Sequence, residues 1–401
     1  MAFDVFKDET FNFKVQAMLG ELRTGCGDAG EIMSTASSIT DGDADSWVAA
    51  WRALAERVEK IASDADAGGH RVSARDAYLR ASAYHSAALE VVDGTSDPDA
   101  VLKPTFAAHR RCFDRYVELS EPPIEKFDIA YEDTTMPGWF VPAAGPGRRP
   151  TIVLSNGSDA PVISTLGIAL AARARGYHSI MFDGPGQQSM LFERNIPFRP
   201  DWEAVISPIV DLLVARGDVD DKKLCIYGLS QSGYWVTRAI AYEPRFAAAV
   251  VDPGVDDVSA SWMGHLPKEM KEMLDKGDRS TFDQWMQIGE QDQTPAEKQE
   301  IEWRAKPYGI EDAFDLFTAV RTYRLTPEDL ARITIPLLIT EPEGEQFWPG
   351  QSERMHQHVA SSELVHFTAA EGADRHCEPM ARSLLEQRMF DWLDRTLNPS
   401  A

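Results

Sequence analysis

Cysteine is scarce in this chain of 401 residues. The four that occur, Cys26, Cys112, Cys225 and Cys377, are far apart and form no C-x-x-C pair. That excludes a disulfide framework and the usual spacing of a zinc site, and reduced thiols are expected. Cys225, inside an apolar run, reads as a small core residue. Long apolar stretches are also missing, and nothing approaches the roughly 18 residues of a membrane span. Positive charge is in deficit: 40 Lys and Arg face 64 Asp and Glu, for a net charge of −24. Such a surface repels nucleic acid and anionic membranes alike. No glycine pattern of the kind that cradles phosphates, G-x-x-x-x-G-K-[ST] or a helix-opening G-x-G-x-x-G, is present. The stretch Met1 to Thr10 is acidic and lacks the basic-then-apolar order of a signal peptide. These absences leave a cytoplasmic protein with a small-molecule partner, and no metal or cofactor is expected.

What is present is a globular composition, 43% hydrophobic and 26% charged, in a chain long enough for one large domain with an insertion or for two domains. Residues 1–121 read as helical. Trp47, Trp51, Leu54, Val58 and Ile61 recur at helical spacing and predict one apolar face. Gly68-Gly69 ends that helix, and another is expected from about Val72 to Val92. Pro122-Pro123 marks a boundary. Beyond it come strand-like runs at 127–131 and 138–141, joined by a hairpin turn. Short apolar runs then follow at 151–154, 179–182, 224–227, 247–251, 337–340 and 364–367. Most are separated by helix-length segments, which suits parallel strands buried on both faces and an α/β fold. Residues 122–255 and 331–401 would form this core. Residues 256–330 interrupt it with aromatic-rich helical stretches carrying Trp262, Trp285, Trp303, Phe314, Phe317 and Tyr323. That insertion could cap a binding site, or its aromatics could simply be core.

The segment Leu224-Cys-Ile-Tyr227 runs into Gly228-Leu-Ser230-Gln-Ser-Gly233 and then into a helical stretch. A strand–turn–helix of this kind gives G-x-S-x-G its meaning, because the sharp bend exposes the serine above a sheet. A serine hydroxyl is a weak nucleophile and needs a base, which needs an orienting acid. After the last strand, His376 lies in a glycine-containing loop before a closing helix at 380–397, where the base is expected. His356 and His358 fall in a helix and His366 in a strand. The acid is expected after the 337–340 strand, where Glu341, Glu343 and Glu345 compete. Glu345-x-x-x-Pro349 has the turn spacing common at this place, so Glu345 is favoured, with Glu343 as alternate. Asp374 is too close to His376 to be a first choice.

An oxyanion hole needs backbone N–H groups. Gln231 supplies one, directly after the serine. The loop Ser155-Asn156-Gly157-Ser158-Asp159 would supply the other, with Gly157 allowing close approach and Ser158 as donor. A carboxylate here opposes charge build-up, so Asp159 is either structural or acts on the substrate. The Phe182-Asp-Gly-Pro-Gly-Gln187 stretch reads as a tight loop beside the site.

These segments together resemble a branch of the α/β-hydrolase superfamily that includes 2,6-dihydroxypseudooxynicotine hydrolase and the fungal yellowish-green pigment (heptaketide-shortening) hydrolases. The resemblance rests on Asn156-Gly157-x-Asp159, Phe182–Gln187, Gly228–Gly233, Val251-Asp-Pro-Gly254, Phe347-Trp-Pro-Gly350, the late His376 and the Arg75–Tyr84 stretch. It implies an α/β-hydrolase fold with a mostly parallel eight-stranded sheet. It also implies an N-terminal helical lid, a homodimer, Ser230 as nucleophile and His376 as base. Members of the branch that hydrolyse carbon–carbon bonds beside a ketone carry a catalytic acidic residue at the place of Asp159. Three positions depart from the pattern: Ser232 and Gln188 stand where glycine is usual, and the triad acid is Glu where Asp is usual. The expected activity is that of a serine hydrolase on a small aromatic or polyketide-like carbonyl substrate, cleaving a carbon–carbon bond or else an ester, lactone or amide. A non-catalytic binder of the same fold is the remaining alternative.

Overall fold

A computed structural model describes residues 4–291 and 293–398. The outermost residues of the assigned regions, 1–3 and 399–401, and residue 292 of the insertion lie outside the described residues. The chain divides into two compact units. The first holds the residues up to Glu125 together with Thr294–Trp303 and Pro379–Arg382.

In this first unit the helix Ala44–Ala67 opens on Asp43, whose carboxylate accepts the Ser46 N–H at 3.1 Å, a standard N-cap. It ends at Gly68-Gly69, and Gly69 adopts φ 75, which only glycine takes without strain. Its buried stripe is Trp47, Trp51, Leu54, Val58 and Ala62. Ile61, expected on that stripe, is instead 49% exposed. The stripe advances from Val58 by four residues to Ala62, not by three to Ile61; a turn of 3.6 residues allows either step, and the packing selects the longer one. Trp47 is the centre of this core. It touches Phe6, Phe11 and Trp51, and its Nε1–H donates to the Ala87 carbonyl at 2.8 Å. The next helix, Arg71–Leu89, stops short of Val92, which starts a 3-10 turn.

The second unit is built on one eight-stranded sheet. Its strands are β1 (Glu125–Tyr131), β2 (Thr134–Val141), β3 (Arg149–Ser155), β4 (His178–Phe182), β5 (Val219–Leu229), β6 (Ala248–Asp252), β7 (Leu337–Pro342) and β8 (Ser362–Phe367). Their order is β1-β2-β4-β3-β5-β6-β7-β8. The β2/β4 pair is antiparallel, and the pairs from β4 across to β8 are parallel. Strands β4 and β6 are buried along their whole length, as expected of parallel strands covered on both faces. Ser155 pairs with Gly228 and Leu229 with Asp252. The loops that leave β3, β5 and β6 therefore emerge at the same carboxyl edge, where ligands of open α/β sheets bind.

Between β6 and β7 the described residues form helices and turns, with one isolated bridge from Asp257 to Arg324. Trp262, Phe282, Tyr308, Phe317 and Tyr323 are buried in a core continuous with that of the sheet, whereas Trp285 is 43% exposed. The closing helix runs Arg382–Leu397. All four cysteines are buried, and none is in a disulfide. Among the described residues, no helix is long and apolar enough to cross a membrane.

Trp47→Ala removes the hub of the N-terminal unit. Truncating a buried Trp costs about 3–5 kcal/mol, so the urea midpoint followed by far-UV circular dichroism is expected to fall. An unchanged midpoint would show that the Trp47 cluster does not limit stability.

Candidate active site

Strand β5 ends at Leu229, and the helix Ser232–Tyr242 starts three residues later. The turn is so sharp that Ser230 is left-handed, with φ 58. A non-glycine residue pays about 1–3 kcal/mol for such a conformation. Two glycines make the bend possible. A Cβ on Gly228 would sit 2.4 Å from the Ser232 carbonyl oxygen, and one on Gly233 would sit 2.0 Å from that of Pro253. The Ser230 N–H donates to the Asp252 carbonyl at 2.6 Å, tying the turn to the end of β6. The side chain of Asp252 is itself fixed, accepting from Tyr227 Oη at 2.5 Å and Thr340 Oγ1 at 2.8 Å.

The hydroxyl of Ser230 lies 2.8 Å from His376 Nε2. On the other side of the ring, His376 Nδ1 lies 2.8 Å from Glu345 Oε2 and 3.0 Å from Oε1. The three side chains meet although 146 residues separate the serine from the histidine. Glu345 also accepts the N–H groups of Phe347 and Trp348, at 2.9 and 3.2 Å. Burial pushes its carboxyl up, but the His376 imidazole and these two N–H groups outweigh burial and hold it below the usual glutamate range. The rings of Phe347 and Trp348 flank His376, with centroids 4.7 and 5.7 Å away.

The competing acids point elsewhere. Glu343 accepts the Ala369 N–H at 2.9 Å, and Glu341 pairs with His366 Nδ1 at 2.7 Å. Asp374 uses its backbone, whose carbonyl accepts the Gly344 N–H at 2.8 Å. Among the other histidines, His356 Nδ1 contacts Ser362 Oγ at 2.8 Å and His358 is exposed.

The loop after β3 comes up against the serine. A Cβ on Gly157 would lie 3.2 Å from that of Ser230. The Gly157 N–H is taken by Asn156 Oδ1 at 3.0 Å, and the Ser158 hydroxyl reaches Asp159 Oδ1 at 3.3 Å. Several braces here were not legible in the sequence. Gln187 Nε2 donates to the carbonyls of Asn156 and Gly157, at 2.8 and 2.9 Å, and Gln188 Nε2 to that of Asp159, at 3.1 Å. Gln188 occupies a left-handed position, φ 37, which explains why glycine is usual there. Ser232, the other departure from glycine, donates to the Asn156 carbonyl at 2.6 Å and meets Ser155 Oγ at 2.8 Å. Gln346 Oε1 accepts the His376 N–H at 3.0 Å. Their only sequence signal is that polar residues stand at small-residue positions beside the motifs.

The comparisons with known proteins bear on the family and the fold. The profile of the alpha/beta hydrolase family matches residues 152–383. An alpha/beta hydrolase of Xenoacremonium sinensis is 30% identical over 96% of this chain and 96% of its own. The 20-hydroxy-prefusarin hydrolase of Gibberella moniliformis is 28% identical over 98% of this chain and 97% of its own. Among solved structures, 2,6-dihydroxy-pseudo-oxynicotine hydrolase superposes with a TM-score of 0.74 at 20% identity, covering 94% of this chain and 95% of that one. At that identity the likeness is one of fold.

The depressed carboxyl of Glu345 has a consequence for stability. A group whose folded pKa lies below its unfolded value stabilises the fold above the unfolded pKa, and the effect fades as pH falls through the folded one. Glu345→Gln removes that contribution. The urea midpoint of the variant is expected to depend less on pH below the ordinary glutamate range than that of the parent. Parallel acid limbs in the two proteins would contradict this.

Proposed function

The chain belongs to the alpha/beta hydrolase family and is a hydrolase. From that premise we propose that it cleaves a small aromatic or polyketide-like carbonyl substrate with Ser230 as nucleophile, His376 as base and Glu345 as orienting acid. The contact that carries the reading is the continuous line from Ser230 Oγ through His376 to Glu345, at 2.8 Å on both sides of the ring. Such a line lets the imidazole take the serine proton while the carboxylate stabilises the cation that forms. The Ser230 oxygen then bonds to the carbonyl carbon. The backbone N–H groups of Gln231 and Ser158 are assigned to the resulting oxyanion. Collapse of that intermediate breaks the bond to the leaving portion, which receives the proton from His376. Water next repeats the attack on the acyl-serine, releases the acid and restores the hydroxyl.

We favour a leaving group bonded through carbon beside a ketone. That choice rests on Asp159, an acidic residue in the loop that adjoins Ser230, which is assigned to act on the leaving portion. A relative named as a hydrolase of 20-hydroxy-prefusarin is in keeping with a polyketide-like substrate. The second reading, cleavage of an ester, lactone or amide, draws on a different observation. Asp159 receives the Ser158 hydroxyl and, at its carbonyl, the Gln188 amide, so it could serve the loop alone. A homodimer and a cytoplasmic site of action belong to the same proposal, supported by the resemblance and the composition.

Two outcomes test the site. Ser230→Ala is expected to abolish labelling by a fluorophosphonate probe. Glu345→Gln is expected to lower kcat by about 100-fold or more, with Glu343→Gln close to the parent. Full labelling of Ser230→Ala would overturn the assignment. A fourth variant separates the two bond classes. Asp159→Asn is expected to lose ketone cleavage while keeping ester cleavage, and no effect on either would remove Asp159 from the mechanism.

A further inference from the structure

One residue beyond the nucleophile, the side chain of Gln231 turns toward a hydroxyl that the triad does not use. Tyr308 is 5% exposed, and its Oη is buried. The side chains of Gln231 and Trp262 are its polar neighbours. Gln231 Nε2 and Tyr308 Oη nevertheless do not meet in hydrogen-bond geometry, and among the described residues each remains buried with no bond. A buried polar atom left in this state costs about 1–3 kcal/mol, and two side by side at a nucleophile call for an explanation.

The Tyr308 ring is not free to swing away. It makes edge-to-face contacts with Phe198, Trp262 and Tyr323, at centroid distances of 5.3, 5.7 and 5.3 Å. The preceding Pro307 carbonyl accepts the Phe198 N–H at 2.8 Å, and Gly309 closes the turn at φ 65. Gln231 is the N-cap residue of the helix after the elbow and is itself buried. The hydroxyl is therefore a fixed group in an aromatic surround, with the Gln231 carboxamide and the Arg304 guanidinium as neighbours. Burial raises the Tyr308 pKa, so the hydroxyl keeps its proton over the ordinary pH range.

We propose that Tyr308 and Gln231 form a substrate subsite that recognises a keto or hydroxyl oxygen carried by the substrate near its reacting carbonyl. Such an oxygen can accept from Tyr308 Oη and from the Gln231 amide, satisfying both groups on binding. A site with buried donors discriminates against the analogue that lacks the oxygen, because that analogue leaves them unpaired. The subsite thus selects oxygenated acyl groups over hydrocarbon ones of the same shape. The inference rests on the assignment of Ser230 as nucleophile, and the experiment keeps the two apart.

The probes are p-nitrophenyl esters of pentanoic, 3-oxopentanoic and 4-oxopentanoic acid. For each protein the ratio of kcat/KM for an oxo ester to that for the pentanoate is measured. Comparing this ratio between variant and parent cancels the different intrinsic reactivity of the esters. Tyr308→Phe and Gln231→Leu are each expected to lower the ratio for at least one oxo ester by about tenfold, the worth of one neutral hydrogen bond. Tyr308→Phe keeps the ring and deletes an unbonded hydroxyl, so its urea midpoint is expected to stay level or rise. Ratios unchanged in both variants, with turnover still dependent on Ser230, overturn the subsite and leave the hydrolase site standing. Equal loss on all three esters with a lowered midpoint assigns Tyr308 a structural role and overturns it as well. If neither the esters nor a fluorophosphonate react in a Ser230-dependent way, the nucleophile assignment falls and the subsite with it.

Discussion

The backbone of Ser230 is the constraint on which the site depends. A left-handed serine is unfavourable by itself, so the surroundings must hold it. The Asp252 carbonyl does so by accepting the Ser230 N–H, and Cys377 Sγ, one residue after His376, reaches the same oxygen at 3.2 Å. Ser230 and the residue after His376 are thereby referred to one atom at the end of β6. The side chain of Asp252 links that atom to β5 through Tyr227 and to β7 through Thr340. Three adjacent strands thus share the placement of one turn. Shifting any of them by a fraction of an ångström would alter the distance between serine and imidazole, and catalytic geometry is sensitive on that scale.

The same economy applies to the loop after β3. Ser232 stands where a glycine would leave only space, and its hydroxyl binds the elbow to the Asn156 carbonyl. Gln187 and Gln188 hold the other side of that loop by its carbonyls. A loop that presents N–H groups to a developing charge works best when it need not reorganise as the charge appears. The departures from glycine at 232 and 188 therefore add rigidity. Gln188 offsets a strained φ with a bond that glycine could not make.

Much of this fold was legible because parallel strands buried on both faces leave short apolar runs that few other structures produce. The elbow was legible because its small residues are sterically obligatory, and Glu345 because its spacing to Pro349 reflects a particular turn. Ile61 was misread because two helical spacings, three and four, both fit a short stripe, and only the packing decides between them. Gln346 and Tyr308 carried no local signal, and the motifs that contain Asp252 and Gln187 did not reveal what those residues bind. Each acts through a partner dozens of residues away or in another strand, and linear spacing does not record such a pairing. The core role of the insertion's aromatics was likewise visible only once Trp262, Phe317 and Tyr323 were seen in one buried cluster with Tyr308.

The triad is indifferent to the bond it breaks, since every reading of the chemistry begins with the same attack on a carbonyl. What distinguishes a carbon leaving group from an oxygen one is its basicity, because a carbanion must be met by a proton or a stabilising group as it departs. Discrimination therefore has to reside in residues that face the substrate away from the His376–Glu345 line. Asp159 is suited to that role by its anchoring. Its carbonyl accepts from Gln188 and its side chain accepts the Ser158 hydroxyl, so the loop is held at both places. On the proposed mechanism, the choice of bond rests with Asp159, while Ser230, His376 and Glu345 keep the same parts.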